Sequence, residues 1–200
     1  SRYRIVRYDT RGHGQSGVPH EAATLDQLGH DLAALLDHLR LERVHLCGLS
    51  LGGMAAQWLA IHHPERVDRL VLSNSAARIG SVDTWAERIA AVERGGVGAV
   101  AAASLGRFFS PAFHGQQPQV VAQYDAMLRS IDPAGYTACC AALRDADLRG
   151  QVAAISAPTL VIGGSLDQST PPEQARELAN LIRTSELAIL DGAAHLAIEA

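Results

Sequence analysis

Three cysteines in 200 residues, two of them adjacent (Cys139 and Cys140) and the third (Cys47) in an apolar strand-like run, make a poor disulfide framework. Reduced thiols in a cytosol fit that usage. No apolar run approaches the roughly 18 residues that a membrane span needs, and the opening stretch SRYRIVRYD has no long apolar segment of the signal-peptide kind. The expectation is a cytoplasmic protein with no membrane partner. Positive charge is also scarce: 17 basic residues against 21 acidic ones leave a net charge of -4, and no basic cluster forms the stripe that tracks a phosphate backbone. Nucleic acid is not expected as a partner. Neither the nine histidines nor the cysteines show metal-ligand spacing, so no metal and no cofactor are expected. The chain does not begin with Met, which suits a processed product or an excerpt.

What is present has the size of one ordinary domain, 1–200, with enough chain to bury its own core. Short β-branched runs alternate with longer amphipathic stretches, the pattern of an α/β fold with a mostly parallel sheet and flanking crossover helices. The strand candidates are 4–9 (RIVRYD), 43–48 (RVHLCG), 69–74 (RLVLSN), 159–164 (TLVIGG) and 186–191 (ELAILD). Between the first two, Leu28, Leu32, Leu35, Leu36 and Leu39 recur at helical spacing, with Thr24 and Gln27 spaced as a capping box. Residues 51–63 predict a helix ended by Pro64, and 173–182 another, entered through Pro171 and Pro172. The middle third, about 76–150, breaks the rhythm and reads as an Ala-rich helical insertion. Six of the nine aromatic residues fall in it: Trp85, Phe108, Phe109, Phe113, Tyr124 and Tyr136. They either roof an apolar pocket or form the insertion's own core.

Two glycine clusters compete for attention. GHGQSG at 12–17 has the GxGxxG form of a dinucleotide-binding loop, but such a loop needs a helix opening at its third glycine and an acid about 20 positions on, after the next strand. Val18-Pro19-His20 break any such helix, and Asp37 sits inside the Leu-rich helix. A tight exposed turn is the better reading of these glycines. CGLSLGG at 47–53, by contrast, has a strand before it and a helix after it, the context of a GxSxG nucleophile elbow. The turn strains Ser50 at the carboxyl end of its strand, Gly48 and Gly52 leave room for the strand–helix crossing, and the Leu51 N–H points at a developing oxyanion.

A serine hydroxyl needs a histidine to take its proton, and the histidine needs a carboxylate to hold it. Asp167 follows the strand at 159–164 and His195 follows the one at 186–191, in the chain order this elbow expects and on the same sheet edge as Ser50. Taken singly, Asp167 reads equally well as a helix cap near Pro171, and His195 as an ordinary loop histidine. The three together predict a triad. Asn74 and Ser75, after the strand at 69–74, offer no carboxylate, and Asp68 lies at the opposite edge.

DTRGHGQS (9–16), GLSLGG (48–53), HHPERVDRLVLSN (62–74), APTLVIGGSLDQSTPP (157–172) and GAAHLAIE (192–199) together resemble the α/β-hydrolase family over nearly the whole chain. Within the insertion, AARIGSVDTWAERIAAV (76–92), RFFSPAF (107–113) and DPAGYTACCAALRDADLR (132–149) resemble the enol-lactone hydrolases of that family. The resemblance implies hydrolysis of 3-oxoadipate enol-lactone in aromatic-compound catabolism, and a turn at RGHGxS that binds no nucleotide. Such a substrate carries a carboxylate, for which Arg88, one helical turn from Trp85, is the candidate partner; a solvated arginine on the insertion is the alternative. Trp85 and Arg88 are thus the expected substrate-binding pair. Two other functions stay open: a carboxylesterase or carbon–carbon bond hydrolase of the same fold, and a non-catalytic homologue or inactive fragment. One departure stands out. Family members are longer, and the first three strands and the loop carrying a second oxyanion donor have no counterpart here, so the N-terminal strands of the fold are expected to be absent. Because the family's third strand lies between the segments matching 4–9 and 43–48, and the chain also stops just after His195, the expectation is a crop of a longer protein, a domain incomplete at both ends, or else a strand at 4–9 that is misplaced or loosely paired.

Overall fold

A computed structural model describes residues 3–18 and 21–199. Four strands, β1 (Val44–Leu49), β2 (Val67–Ser73), β3 (Thr159–Gly164) and β4 (Ser185–Leu190), form one sheet in the order β1-β2-β3-β4. Every neighbouring pair is parallel, with Leu49 opposite Ser73, Ser73 opposite Ile162 and Gly164 opposite Leu190. Four parallel strands in this register end on one edge, so the residues that follow them gather along one rim.

The helices form where the local signals place them. α1 (Leu25–His38) starts at a complete capping box in which Thr24 accepts from the Gln27 N–H and Gln27 accepts from the Thr24 N–H. Its buried Leu25, Leu28, Leu32 and Leu36 each stabilise the fold by roughly 1.5–3 kcal/mol relative to exposure. α2 (Leu51–His62) packs on β1 and β2 and is covered by α1, so every residue from Gly53 to Ala60 is buried. The α1–α2 contact is close: a Cβ on Gly29 would lie 2.0 Å from the Trp58 ring, and the Trp58 indole N–H donates to Asp26 Oδ1 at 2.6 Å. α8 (Pro172–Leu181), with Pro172 in its first turn, carries the chain from β3 to β4.

Between β2 and β3 lie five helices: α3 (Val82–Gly95), α4 (Gly98–Phe108), α5 (Pro111–Gln116), α6 (Pro118–Ser130) and α7 (Pro133–Asp145). Their aromatic residues divide between the two roles expected of them. Phe109 stacks on Phe113 at 4.8 Å and meets Tyr124 edge-on at 5.1 Å, beside Ala101, Leu105 and Leu128 in a core of the insertion's own. Trp85, Phe108 and Tyr136 line a cavity against the sheet, Phe108 and Tyr136 while also packing on the insertion's own clusters.

The strand expected at 4–9 does not form. Ile5 is 78% exposed, and Val6 and Tyr8 are exposed as well. An extended segment becomes a strand only when a neighbour takes its backbone hydrogen bonds, and no strand lies between 4–9 and β1 among the described residues. Just ahead of it, the Tyr3 ring meets His45 of β1 edge-on at 5.5 Å. No helix among the described residues is long and apolar enough to cross a membrane.

Candidate active site

Ser50 stands between β1 and α2 with φ +52 and ψ -117, a conformation that L-residues adopt only where the surroundings impose it. The strand–helix crossing imposes it here. A Cβ on Gly48 would lie 2.3 Å from the Gly52 carbonyl oxygen, and one on Gly53 would lie 2.5 Å from both Cβ and Oγ of Ser75. Gly53, and not Gly52, is thus the second glycine the crossing requires; a Cβ on Gly52 would meet nothing within 4 Å. The reason is rotational: Gly48 meets the backbone of Gly52, whereas it is Gly53 whose missing side chain faces the segment after β2.

Although Ser50 occupies the cap position of α2, its side chain does not cap the helix. Ser50 lines the cavity, while its carbonyl accepts from Met54 N–H at 3.1 Å and from the Ser75 hydroxyl at 2.8 Å. Leu51 heads α2, so its N–H is among those a helix leaves without an intrahelical partner, at the positive end of the helix dipole.

Asp167 and His195 meet at the same rim. His195 Nδ1 lies 2.9 Å from Asp167 Oδ2, with both residues almost fully buried. The same carboxylate oxygen accepts from Asn74 Nδ2 at 2.9 Å and from the Thr170 hydroxyl at 2.7 Å. Oδ1 accepts from the N–H groups of Ser169 and Thr170 at 2.7 and 3.0 Å. Burial alone would push the Asp167 pKa up; the hydrogen bond and charge of His195, with the Asn74 and Thr170 donors, outweigh it and hold the carboxyl at about 2. Because a carboxylate only accepts, this contact assigns the proton to Nδ1 and leaves the Nε2 lone pair as the imidazole's basic site.

The His195 loop is fastened from two sides. Its backbone N–H donates to the Arg107 carbonyl at 3.3 Å, the next N–H (Leu196) to the Phe108 carbonyl at 2.9 Å, and its ring stacks on Phe108 at 5.9 Å. On the sheet side a Cβ at Gly164 would fall 2.4 Å from the Ala193 oxygen, so only glycine lets the loop cross the end of β3 this closely. Sequence reasoning missed Asn74, which is 1% exposed with φ +47. Besides Asp167 it donates to the Ala194 carbonyl at 3.2 Å, joining the end of β2 to both loops. Its partners lie 93 and 120 positions away, beyond any local signal, although an asparagine directly after a strand is suited to a left-handed backbone.

A cavity of about 700 Å³ opens between this rim and the insertion, and Ser50, Leu51 and His195 all line it. Trp85 and Arg88 line it too. The Trp85 indole N–H is bonded to the Ile79 carbonyl at 2.7 Å, so the residue offers the cavity its ring. Arg88 donates from Nε to the Tyr136 hydroxyl at 2.7 Å and from Nη2 to the Ser104 hydroxyl, and its guanidinium carbon lies 6.0 Å from the Trp85 ring centre. Cys139 and Cys140 also face the cavity as free thiols, and burial pushes them up to about 11 and about 12; Cys47 is free and exposed. Among the described residues, no group of three or more His, Cys, Asp or Glu is placed to hold a metal ion.

The glycine turn at 12–17 reaches this cavity through His13. Gly12 and Gly14 take φ +76 and +53, and the turn closes through Gly12 N–H to the Gly17 carbonyl at 2.9 Å. Asp9 accepts from Gln15 N–H at 3.0 Å, so the chain's own carboxylate sits where a phosphate-binding loop would present free donors. α1 begins only at Leu25.

The family model for the alpha/beta hydrolase fold matches residues 1–199, and the chain belongs to that family. Over 195 residues it is 40% identical to 3-oxoadipate enol-lactonase 2 of Acinetobacter baylyi, covering 98% of this chain and 73% of that protein. The crystal structure of the enol-lactonase from Burkholderia xenovorans, 39% identical, superposes with a TM-score of 0.93 over 96% of this chain and 73% of that one. A putative carbamate hydrolase of Agrobacterium fabrum is 32% identical over 208 residues, covering 96% of this chain and 76% of that protein.

Proposed function

We propose that the chain is a serine hydrolase of the α/β fold with Ser50 as nucleophile, His195 as general base and acid, Asp167 as the carboxylate that orients it, and 3-oxoadipate enol-lactone as substrate. The observation that carries the chemistry is the 2.9 Å contact of His195 Nδ1 with Asp167, in a cavity that Ser50, its hydroxyl left out of helix capping, lines as well. What favours the enol-lactone is the 40% identity to an enol-lactonase, extended over a cavity that carries a guanidinium in its wall.

The reaction follows from these positions. Ser50 Oγ attacks the lactone carbonyl carbon as its proton passes to His195 Nε2, and the imidazolium is stabilised by Asp167. The carbonyl electrons move onto oxygen, where the Leu51 N–H donates to them. Collapse breaks the ring C–O bond, and the enolate leaving group takes the proton from His195, becoming the ketone after tautomerisation. Water then attacks the acyl-enzyme with His195 as base, releasing the new carboxylic acid and regenerating Ser50. Trp85 packs on the substrate's carbon skeleton, and Arg88 faces the carboxylate that the lactone carries.

Turnover of the enol-lactone beside a simple aryl ester, in the wild-type chain and in Ser50→Ala, tests this. Preference for the lactone, lost in the variant, is the expected result. Turnover of the ester alone would move the function to a carboxylesterase, the reading favoured by a 31% identical esterase structure from Thermogutta terrifontis with a TM-score of 0.88. Turnover retained in Ser50→Ala would refute the nucleophile.

A further inference from the structure

Arg107 was given no role by the sequence, yet it lines the same cavity as Ser50, His195 and Arg88. Its guanidinium is half-buried and makes no hydrogen bond or ion pair among the described residues, while its backbone carbonyl accepts from His195 N–H. An arginine taken partly out of water without a counter-charge is held at a cost, which a fold tolerates where an anion is to be received. The charge it feels most is not a carboxylate but a second cation: burial and the nearby Arg88 both lower its pKa. Arg88 has no carboxylate either, its donors being held by Tyr136 and by Ser104, which is fully buried on α4 one turn before Arg107. Glu87 is the only carboxylate lining this cavity among the described residues, and it is exposed and unpaired with either arginine.

We infer that Arg88 and Arg107 together form a receptor for a carboxylate, with Arg107 as the residue that selects acyl substrates carrying a free acid group over their neutral counterparts. This rests on the hydrolase reading for its kinetic arm only. The two cations differ in how they are held. Arg88 is fixed by two neutral hydroxyls that orient it without neutralising it, whereas Arg107 is free to swing onto the anion. The repulsion between them is relieved when an anion lies between, so the site is specific for negative charge and weak for anything neutral of the same shape.

Two measurements test it. The first compares 4-nitrophenyl hydrogen adipate with its methyl-capped ester, the same chain with the acid masked. Arg107→Gln is expected to lower the ratio of kcat/KM for the acid over the capped ester by about 10-fold or more, the worth of one charge-assisted hydrogen bond, with Arg107→Lys recovering part of it. The second measures adipate binding to Ser50→Ala by calorimetry, where Arg107→Gln is expected to weaken Kd by a similar factor. An unchanged acid-to-ester ratio, or adipate affinity equal with and without Arg107, would overturn the inference. Because the calorimetric arm needs no turnover, a chain that hydrolyses neither ester yet loses adipate affinity with Arg107→Gln would sink the hydrolase reading and leave the anion site standing.

Discussion

Asn74 is the residue on which the arrangement of the site can be tested most sharply. Asn74→Ala removes a bond donated to the Asp167 carboxylate and one donated to the Ala194 carbonyl, worth about 1.5–3 and about 1 kcal/mol respectively. Alanine at φ +47 adds left-handed strain of about 1 kcal/mol. The sum is about 3–5 kcal/mol, which for a chain of this length lowers Tm by about 10 °C. Asn74→Asp separates the electrostatic part, since aspartate tolerates the same backbone and keeps the oxygen that accepts from Ser73. It sets a second carboxylate against Asp167 where the donor stood at 2.9 Å, a repulsion of at most about 6 kcal/mol at an effective dielectric of 20. Like charge raises the folded pKa of the pair, so the penalty is full at high pH and shrinks as pH falls and one carboxyl takes a proton. Thermal unfolding of the three proteins from pH 7 to pH 4 is the assay. A Tm for Asn74→Ala within about 2 °C of wild type, where the bonds above call for about 10 °C, would refute the reasoning. So would a gap for Asn74→Asp that stays constant across that range.

Three further outcomes are expected. Asp167 is held at about 2 against an ordinary 3.8; its depressed pKa contributes stability that is complete above about pH 4 and is lost as pH falls toward about 2, worth at most about 2 kcal/mol. Acid unfolding of Asp167→Asn should lack that part of the pH slope, and an identical slope in both proteins would be contrary to it. Gly164→Ala drives a Cβ to 2.4 Å from the Ala193 oxygen and displaces the backbone leading to His195. Displacements near 1 Å cost about 100-fold in rate, so kcat should fall at least 10-fold in steady-state assays with the circular dichroism spectrum preserved; a rate within two-fold of wild type would contradict the placement. Gly29→Ala forces a methyl into the Trp58 ring, an overpacking worth about 1–3 kcal/mol, and urea denaturation should show it as a lower midpoint at unchanged slope.

What was legible in the sequence was what short spacing encodes. Thr24 and Gln27 mark the start of α1 because their partners are each other. The placement of the candidate site was legible because the glycines around Ser50 lie within a few residues of it, and because parallel strands deliver whatever follows them, here Asp167 and His195, to one edge. The segment 4–9 carries strand propensity in Ile5, Val6 and Tyr8 but stays unpaired, as its missing neighbour implied, because pairing depends on a strand outside the segment. Gly52 and Gly53 could not be told apart, because which of them faces Ser75 depends on how α2 is rotated against β2. Asn74 and Arg107 were silent for a related reason: each acts through groups brought close only by the fold, and neither residue type is unusual where it stands.

The same geometry ties the insertion to the candidate site. The imidazole is positioned by Asp167, whose loop follows β3, but its backbone hangs from the carbonyl of Arg107 and its ring from Phe108, both on α4. α4 also carries Ser104, which holds the Arg88 guanidinium, and Arg107 itself. A shift of α4 along its axis therefore moves the proposed base and the proposed anion receptor together, whereas Ser50 stays with the sheet. An acid-bearing substrate is therefore expected to gain in kcat as well as in KM, because α4 carries both the proposed anion receptor and the contacts that steady His195.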